Sequence, residues 1–373
     1  MPEILLSTVI MAHPKRAESA VQLRESCPEL DLRIVYDPEP EAPPSTLRTA
    51  ALAWSAIAEG ATHQLVLQDD VVLCDDFAAQ LHAAVADMPD SPVFLYTDWG
   101  TKCSHALRLA ALRGASWAEG VDPWVPAQAV LLPADIARGF IDYVTERPHL
   151  DDDALALEAY LRENKLTAFV CMPNLVQHGG IPSLLGNDTP MGLRRSSCFA
   201  AAEDWTGPRA RTGAVVSGLS AVPDLLVGRS VCWTRPGDDP YGWTSTPTHD
   251  WLASRGLPVF EQMPLFRAAC GVLADGPCRE IASETLLFHL WLTGFLHGVI
   301  AATWPEADAD WLAAALERPL VRRSHATLVP GGLRELLSEP YLAAAAEAFL
   351  PLVHRAMHQG LDANANHSLL PAP

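Results

Sequence analysis

Short apolar runs alternate with helix-like segments through the first half of this chain, and this alternation constrains its fold most. The runs are rich in branched side chains, as buried strands are. They are residues 4–11, 32–36, 64–67, 93–96 and 127–132. The segments between them show helical periodicity; residues 45–59, for example, start at Ser45 or Thr46, either of which can cap a helix. The pattern predicts an α/β fold with a doubly wound, mainly parallel sheet.

Two adjacent carboxylates follow the third of these runs. Residues 64–67 lead directly into Gln68, Asp69 and Asp70. Right-handed crossovers place the loops after the first three strands on one rim of the sheet, where open α/β sheets bind their ligands. Oxygen ligands at that rim suit Mg²⁺ or Mn²⁺, because such an ion usually joins one or two carboxylates to substrate phosphates. The alternative is a solvated turn, since Asp is common in turns.

The composition changes near residue 205, and the change predicts two domains. Residues 206–222 are rich in Gly, Ser, Pro and Arg and lack periodicity, which is typical of a linker. The linker would separate a first domain at residues 1–205 from a smaller, mostly α-helical domain at residues 223–373. Helices of that second domain are expected over residues 280–303, 306–317 and 340–359. Residues 225–233 can add a strand, and the tail from Gly360 is expected to fray.

Charge and composition exclude several classes of partner. The net charge of −19 argues against a general nucleic-acid or anionic-membrane partner, but it allows one phosphorylated ligand held through a metal. Residues 286–304 lack Asp, Glu, Lys and Arg and reach transmembrane length, yet no basic cluster flanks them. We therefore expect a buried helix there and no membrane association. The first ten residues lack the form of a signal peptide, and the eight cysteines lack a CxxC pair, so a cytoplasmic protein is predicted.

The order of these elements resembles the GT-A fold of nucleotide-sugar glycosyltransferases over about residues 1–200. The motifs that carry the resemblance each follow a predicted strand or precede a predicted helix. They are residues 11–16, 36–37, 68–70, 151–153 and 176–178. The resemblance implies a GT-A-like domain and a metal-dependent glycosyltransferase that uses a nucleoside-diphosphate sugar, with UDP favoured.

The resemblance also implies a metal site. In the family, the last carboxylate of a short acidic motif binds the divalent ion, and a late His often supplies the remaining protein ligand. Carried over, Asp70 and His178 bind Mn²⁺ or Mg²⁺, and Asp69 supports the ion or the sugar. Gln68 departs from the family, which often has an acid that touches the ribose here. The glycine pair after His178 fits a loop close to a diphosphate, whereas a purely structural loop His is the alternative.

A general base is implied in the acidic run at residues 151–153. Inverting members of the family place such a base before a helix, where it removes the acceptor's proton. Asp152 is favoured over Asp151 and Asp153. The competing interpretation is a helix cap, because Asp at a helix N-terminus is stabilised by capping and by the dipole.

Four further residues are implied in nucleotide binding. His13 and Arg16 follow the first strand, where the family contacts base and phosphate, and Asp37 follows the second, where a carboxylate can bind the base or the ribose. Arg48, near the start of the next helix, could reach a phosphate. Asp37 as a turn former and Arg48 as a surface helix residue are the structural alternatives.

The sequence does not identify the acceptor, which is a small molecule, a glycan, a peptide or modified DNA. The C-terminal domain is expected to cover the acceptor side or to form a homodimer. Two other functions compete, namely an inactive GT-A-fold binding or scaffold protein and a nucleotidyltransferase, although the latter usually needs a Gly-rich loop after the first strand. His354 and His358 have a metal-capable helical spacing, but they lack the Glu of a zinc protease and are interpreted as structural.

Overall fold

The computed structural model describes residues 4–186, 188–205, 212–235, 242–273 and 282–370. The first six residues of the predicted linker, 206–211, lie outside the described residues. The chain divides into two compact units, each built from separate segments. The first unit consists of Met1–Thr97, Ser116–Gly186 and Phe199–Ala214, and the second consists of Asp98–Ala115, Asn187–Cys198 and Val215–Pro373.

Strands and helices alternate in the first unit, and helices dominate the second. The strands are β1 (Leu6–Ala12), β2 (Leu32–Tyr36), β3 (His63–Gln68), β4 (Val71–Leu73), β5 (Val93–Phe94), β6 (Trp117–Glu119), β7 (Ala129–Pro133), β8 (Phe169–Cys171), β9 (Val176–His178), β10 (Val215–Val216), β11 (Ala221–Leu226), β12 (Arg229–Thr234) and β13 (Thr244–Pro247). The helices are α1 (Ala17–Glu25), α2 (Thr46–Ser55), α3 (Phe77–Asp87), α4 (Lys102–Arg113), α5 (Ala134–Thr145), α6 (Asp153–Glu163), α7 (Asp188–Met191), α8 (Thr248–Ala253), α9 (Val259–Cys270), α10 (Glu284–Ala301), α11 (Ala309–Leu316), α12 (Pro319–Ala326), α13 (Leu328–Leu333) and α14 (Glu339–His367). Short 3-10 helices occur at Pro14–Arg16 and Ala202–Trp205.

The first unit is an α/β structure around one large sheet. Its strands lie in the order β6-β8-β5-β7-β3-β1-β2. β1 pairs in parallel with β2 and β3, and β5 pairs in parallel with β8. β7 runs antiparallel to β3 and β5, and β6 runs antiparallel to β8. Five of these seven strands therefore point in one direction, as expected for an α/β fold with a largely parallel sheet.

The three parallel strands at one side of the sheet set the position of the rim. β1 aligns Ala12 with Tyr36 of β2 and Met11 with Gln68 of β3, so the three strands end level with one another. The loops that follow them lie on the same edge, as predicted from the crossover rule. The predicted cap of α2 is also confirmed, because the Ser45 side chain accepts a hydrogen bond from the Arg48 N–H at 3.2 Å.

The second unit includes a helix from the middle of the predicted first domain. α4 packs against β11, α11 and α12, all of which come from far later in the chain. Residues 102–112 are all buried, so α4 presents almost no surface to solvent, although it carries polar residues such as Lys102, His105 and Arg108. This is why the sequence pattern predicts a contiguous first domain, whereas residues 98–115 and 187–198 belong to the second unit.

α10 is the core helix of the second unit. Within the described residues it is the one helix long and apolar enough to span a bilayer, and 72% of its apolar window is buried inside the protein. It packs along α14, which continues to His367. The expectation that the chain frays from Gly360 is wrong: Gly360 is buried, and a Cβ there would overlap the Phe295 backbone of α10, so only glycine allows this close approach. Asn364 adds two hydrogen bonds to the Leu370 backbone.

Candidate functional site

The centre of the candidate site is the acidic pair at the carboxyl end of β3, which Arg16 bridges. The Arg16 guanidinium donates through Nη1 to Asp69 Oδ1 at 2.9 Å and to Asp70 Oδ2 at 2.8 Å. Its Nη2 donates to the Pro182 carbonyl at 2.6 Å. The exposed fractions of the three charged side chains are 11%, 8% and 9%. One cation thus serves two carboxylates at a site largely removed from solvent.

The local electrostatics follow from this burial. Burial raises the pKa of Asp69 above its usual range, although hydrogen bonds from the His13 N–H and from Arg16 oppose the shift. Burial opposes the charge on Arg16 as well, but hydrogen bonds and charge interactions with Asp69 and Asp70 raise its pKa overall. Arg16 therefore stays protonated at any physiological pH.

Asp70 and His178 are brought together by a short strand pair. β4 and β9 pair antiparallel with Val71 opposite His178, and the Gly179 N–H donates to the Asp70 carbonyl at 2.7 Å. The His178 Nε2 atom lies 3.6 Å from Asp70 Oδ2. Two residues 108 positions apart in the sequence thus face each other at the rim, which is the placement expected for Asp70 and His178.

Gly179 owes its identity to this strand pair. A Cβ at Gly179 would lie 2.9 Å from the Asp70 carbonyl oxygen, a distance that side chains do not tolerate. The sequence suggests that the glycine pair lets backbone approach a diphosphate. In the structure, the close approach at Gly179 is made to the chain's own Asp70.

A divalent cation fits the donor set of Asp70 and His178 provided that phosphate or water supplies its remaining ligands. The Asp70 Oδ1 atom is buried without a hydrogen-bond partner, and His178 Nε2 lies 3.6 Å from the other carboxylate oxygen, Oδ2. Carboxylate and imidazole suit Mn²⁺, and bonds of about 2.1 Å to both are compatible with the separation of His178 Nε2 from Asp70 Oδ2, although Arg16 contacts this oxygen in the structure. No group of three or more His, Cys, Asp or Glu side chains is placed to share a metal ion within the described part of the chain. The remaining ligands would have to come from phosphate or water, as is usual for Mg²⁺ at phosphate sites.

The ring of His178 adds a second constraint. Its Nδ1 atom accepts a hydrogen bond from the Gly180 N–H at 3.1 Å. A neutral imidazole that accepts at Nδ1 carries its proton on Nε2, the atom that faces Asp70. Metal ligation through Nε2 therefore requires that the proton leave Nε2, and the hydrogen bond from the Gly180 N–H to Nδ1 is lost if the proton moves to Nδ1.

Asp37 and Arg48 bind each other. Arg48 donates through Nε to Asp37 Oδ1 at 2.8 Å and through Nη2 to Asp37 Oδ2 at 2.7 Å, a bidentate ion pair. The hydrogen bonds from Arg48 are the main cause that lowers the pKa of Asp37, and the nearby His13 ring contributes to the same shift. The pair lies on the rim after β2 and fixes the loop between β2 and α2, since Arg48 also donates to the Glu39 and Pro43 carbonyls.

The acidic run before α6 is bonded to the start of α2, and its three members have different environments. The Asp151 carbonyl accepts from the Leu47 N–H and the Ser45 hydroxyl. Asp152 caps α6, because its carboxylate accepts from the Leu155 N–H at 2.8 Å. The cap interpretation is therefore confirmed for Asp152, which leaves its role as a base a prediction.

Asp153 is the buried member of the run. Its N–H donates to the Thr46 hydroxyl at 3.0 Å, and burial raises the pKa of its carboxyl to about 6, although a hydrogen bond with Thr46 opposes the shift. A carboxyl group with a pKa near neutrality is well matched to proton transfer. Asp153 thus has the proton affinity suited to a base, whereas Asp152 has the capping contact.

Several contacts at the site have no counterpart in the sequence analysis. The Ser19 hydroxyl donates to the Asp69 carbonyl at 2.6 Å, and the Pro182 carbonyl accepts from Arg16. Ser19 lies three residues after Arg16, one helical turn along α1, which is the signal that could have indicated it. Gln68 continues the sheet, and its N–H donates to the Gln128 carbonyl at 2.9 Å. His13 contributes its backbone N–H to Asp69, and its ring accepts from the Lys15 N–H.

Comparison with known proteins adds no assignment. Neither a protein-family model nor a curated protein sequence matches this chain.

Proposed function

We propose that this protein is a glycosyltransferase of GT-A type, which moves a sugar from a nucleoside-diphosphate sugar, with UDP favoured, to an acceptor. The observation that carries the proposal is the acidic pair at the carboxyl end of β3, with His178 set 3.6 Å from Asp70 by the β4–β9 pair. Sheet edges of this kind are where open α/β folds bind ligands. The cationic Arg16 beside the carboxylates suits a ligand that brings its own negative charge.

Each residue of the site has a role in this proposal. Asp70 and His178 would hold Mn²⁺ or Mg²⁺. When bound, the ion stabilises the charge that develops on the leaving diphosphate. Arg16 neutralises the acidic pair and faces the phosphates, while Asp69 holds Arg16 and the His13 backbone in position. The nucleotide is bound by the rim that carries His13, Asp37, Arg48 and Gln68.

The acidic run before α6 supplies the base in this proposal. One of Asp151, Asp152 and Asp153 accepts the proton of the acceptor as its oxygen or nitrogen attacks the anomeric carbon. The bonds from Ser45, Thr46 and Leu47 to this run hold it at the start of α2, which follows the rim loop after β2. The acceptor is a small molecule, a glycan, a peptide or modified DNA. The setting is cytoplasmic, and a homodimer through the C-terminal part is part of the same proposal.

A binding protein without turnover is the second candidate. Arg16 pairs with both carboxylates that the transferase would use, and this favours a site that binds a nucleotide sugar without activating it. Incubation with UDP-sugars separates the two, because a transferase slowly hydrolyses its donor or transfers it, whereas a binding protein returns it intact.

The test of the proposed function is calorimetric titration with UDP, with and without Mn²⁺. We expect Mn²⁺-dependent UDP binding that Asp70→Asn weakens by about a hundredfold or more, because the diphosphate loses its counter-charge. His178→Ala should weaken Mn²⁺ binding and leave the melting temperature of the protein without metal nearly unchanged. Asp75→Asn is the matched control, since Asp75 is an exposed acid on the turn after β4. Equal UDP binding by wild type and a folded Asp70→Asn variant would overturn the proposal.

A further inference from the structure

The Arg16 bridge leaves two buried groups unsatisfied. The Arg16 Nε atom and the Asp70 Oδ1 atom are both buried and make no hydrogen bond. Native proteins pair nearly all buried polar groups, so each such group calls for an explanation. Here the Arg16 Nε donor and the Asp70 Oδ1 acceptor belong to the same ion-paired cluster. Both would be satisfied by a charged ligand that binds there.

The geometry makes Arg16 a competitor of the cation for Asp70. The Asp70 Oδ2 atom is the oxygen closest to His178, at 3.6 Å, and it is also the oxygen that Arg16 contacts at 2.8 Å. A divalent ion held by Asp70 and His178 would therefore lie next to a guanidinium cation. Two cations sharing one buried carboxylate repel each other strongly, because the surroundings screen them less than water does.

A diphosphate removes this conflict. Its negative oxygens are acceptors for the planar guanidinium fork, which matches phosphate geometry and can bind it in a bidentate manner. When Arg16 turns from the acidic pair to the phosphates, Asp70 is released to the ion, and the phosphates supply the ligands that the chain lacks.

We infer that Arg16 is a latch that makes divalent-cation binding conditional on the nucleotide diphosphate. Arg16 closes the acidic pair while no phosphate is bound, and it transfers to the diphosphate as the cation binds Asp70. The inference rests on the proposed function, and it adds an order of binding: cation and nucleotide bind together, and the cation alone binds weakly. By linkage, the factor by which UDP strengthens cation binding equals the factor by which the cation strengthens UDP binding.

The test measures that coupling factor in wild type and in Arg16→Met. Mn²⁺ binding is followed by the electron paramagnetic resonance signal of free Mn²⁺, with and without UDP, and UDP binding is followed by calorimetry. Removal of Arg16 should strengthen binding of Mn²⁺ alone by about tenfold or more and should lower the coupling factor to a similar extent. Arg24→Met, which removes an exposed arginine from α1, is the charge-matched control and should leave both quantities at wild-type values.

A second variant protects the test against misfolding. Arg16→Lys keeps the positive charge but presents a point donor in place of a fork, so its Mn²⁺ affinity and coupling factor should lie between those of wild type and Arg16→Met. Mn²⁺ binding alone that is unchanged or weaker in both variants, with UDP and Mn²⁺ binding intact in wild type, would overturn the latch and leave the proposed function standing. Absence of any UDP and Mn²⁺ binding in wild type would overturn the proposed function itself.

Discussion

Both units bury clusters of ionisable side chains, but one cluster consists of ion pairs and the other of imidazole rings. In the first unit, Asp69 and Asp70 on the rim after β3 pair with the guanidinium of Arg16. In the second unit, the interior holds a row of histidines whose pKa values are all lowered, mainly by burial. The row consists of His105 on α4, His297 on α10, His325 on α12 and His354 on α14.

The members of the histidine row contact one another, and His105 Nε2 also lies 3.7 Å from Asp224 Oδ1. His105 Nδ1 lies 3.4 Å from His297 Nε2, and His325 Nδ1 lies 3.2 Å from His354 Nε2. His297 donates through Nδ1 to the Thr293 carbonyl at 2.9 Å, which fixes its tautomer. The difference between the units teaches that clustering alone does not indicate a ligand site. The cluster at the sheet edge is built on ion pairs between opposite charges, whereas the core cluster is built mainly on contacts between imidazole rings, and one of these, His325, leaves its Nε2 atom without a hydrogen-bond partner.

The largest expected effect concerns the charged side of this comparison. Changing Asp151, Asp152 and Asp153 singly to Asn keeps shape and most hydrogen bonding but removes basicity. If one of them is the base, its variant should lose turnover by roughly 10²–10⁴ with donor affinity little changed, because proton transfer matters only in the transition state. Steady-state kinetics with a UDP-sugar donor would measure this.

The same series separates base from cap. Asp152→Asn should leave stability nearly unchanged, since Asn caps helices about as well as Asp. Near-normal turnover in all three variants would reject the acidic run as the source of the base. A loss confined to Asp153→Asn would assign the base to the residue whose pKa is about 6 rather than to the favoured Asp152.

The second effect concerns Arg108, which ties the second unit together from within. Its side chain is fully buried and donates to the Trp99 and Ser324 carbonyls and to the Ser104 and Thr327 hydroxyls at 2.6–3.0 Å. Burial lowers its pKa to about 9, so it is charged at neutral pH. Arg108→Met would leave four buried acceptors with fewer partners and should reduce the free energy of unfolding by about 3 kcal/mol.

Urea denaturation followed by circular dichroism measures this loss. Arg113→Met on the same helix is the control: Arg113 pairs with Glu306 at 2.9 Å, both side chains are about 40% exposed, and such pairs contribute no more than about 1 kcal/mol. Equal losses in the two variants would show that the buried arginine stabilises the protein no more than the surface pair does.

Arg108 also shows where sequence reasoning reaches its limit. The strands β1, β2 and β3 and the Ser45 cap were predictable because their signals are local: apolar runs, a capping residue and a helical period. The placement of α4 was not, since it depends on contacts with residues about 200 positions later and its side chains are buried on every face. No periodicity reveals a helix that is buried all round.

The candidate site divides in the same way. The meeting of Asp70 and His178 was expected from the resemblance, because short motifs after strands reach one rim. The bridge from Arg16 to both carboxylates and the mutual pairing of Asp37 with Arg48 depend on side-chain geometry, which a sequence motif does not specify. The close contact of Gly179 with the Asp70 carbonyl depends on the β4–β9 pair, so the sequence motifs did not predict it either.

The smallest expected effect is the pH dependence of stability that the buried histidines of the second unit produce. Burial lowers the pKa of His297 to about 3 and that of His354 to about 4, with smaller contributions to the latter from His358 and Arg322. An unfolded histidine has a pKa of about 6.5, so as the pH falls below that value the unfolded chain binds protons that the folded chain does not. Stability is therefore full above about pH 6.5 and is lost progressively down to the folded pKa values, by about 1.4 kcal/mol per pH unit for each such histidine.

His354→Gln tests this sign and size. Between pH 6.5 and 5, its free energy of unfolding should fall by about 2 kcal/mol less than that of wild type, because one proton-binding group is gone from the unfolded chain. The measurement is a set of urea titrations at several pH values. His82→Gln, which removes an exposed histidine from α3 of the first unit, is the matched control and should keep the wild-type slope. A slope unchanged by His354→Gln would mean that His354 is protonated as readily in the folded protein as in the unfolded chain, and the contrast between the ion-paired rim and the neutral histidine row would not hold at that residue.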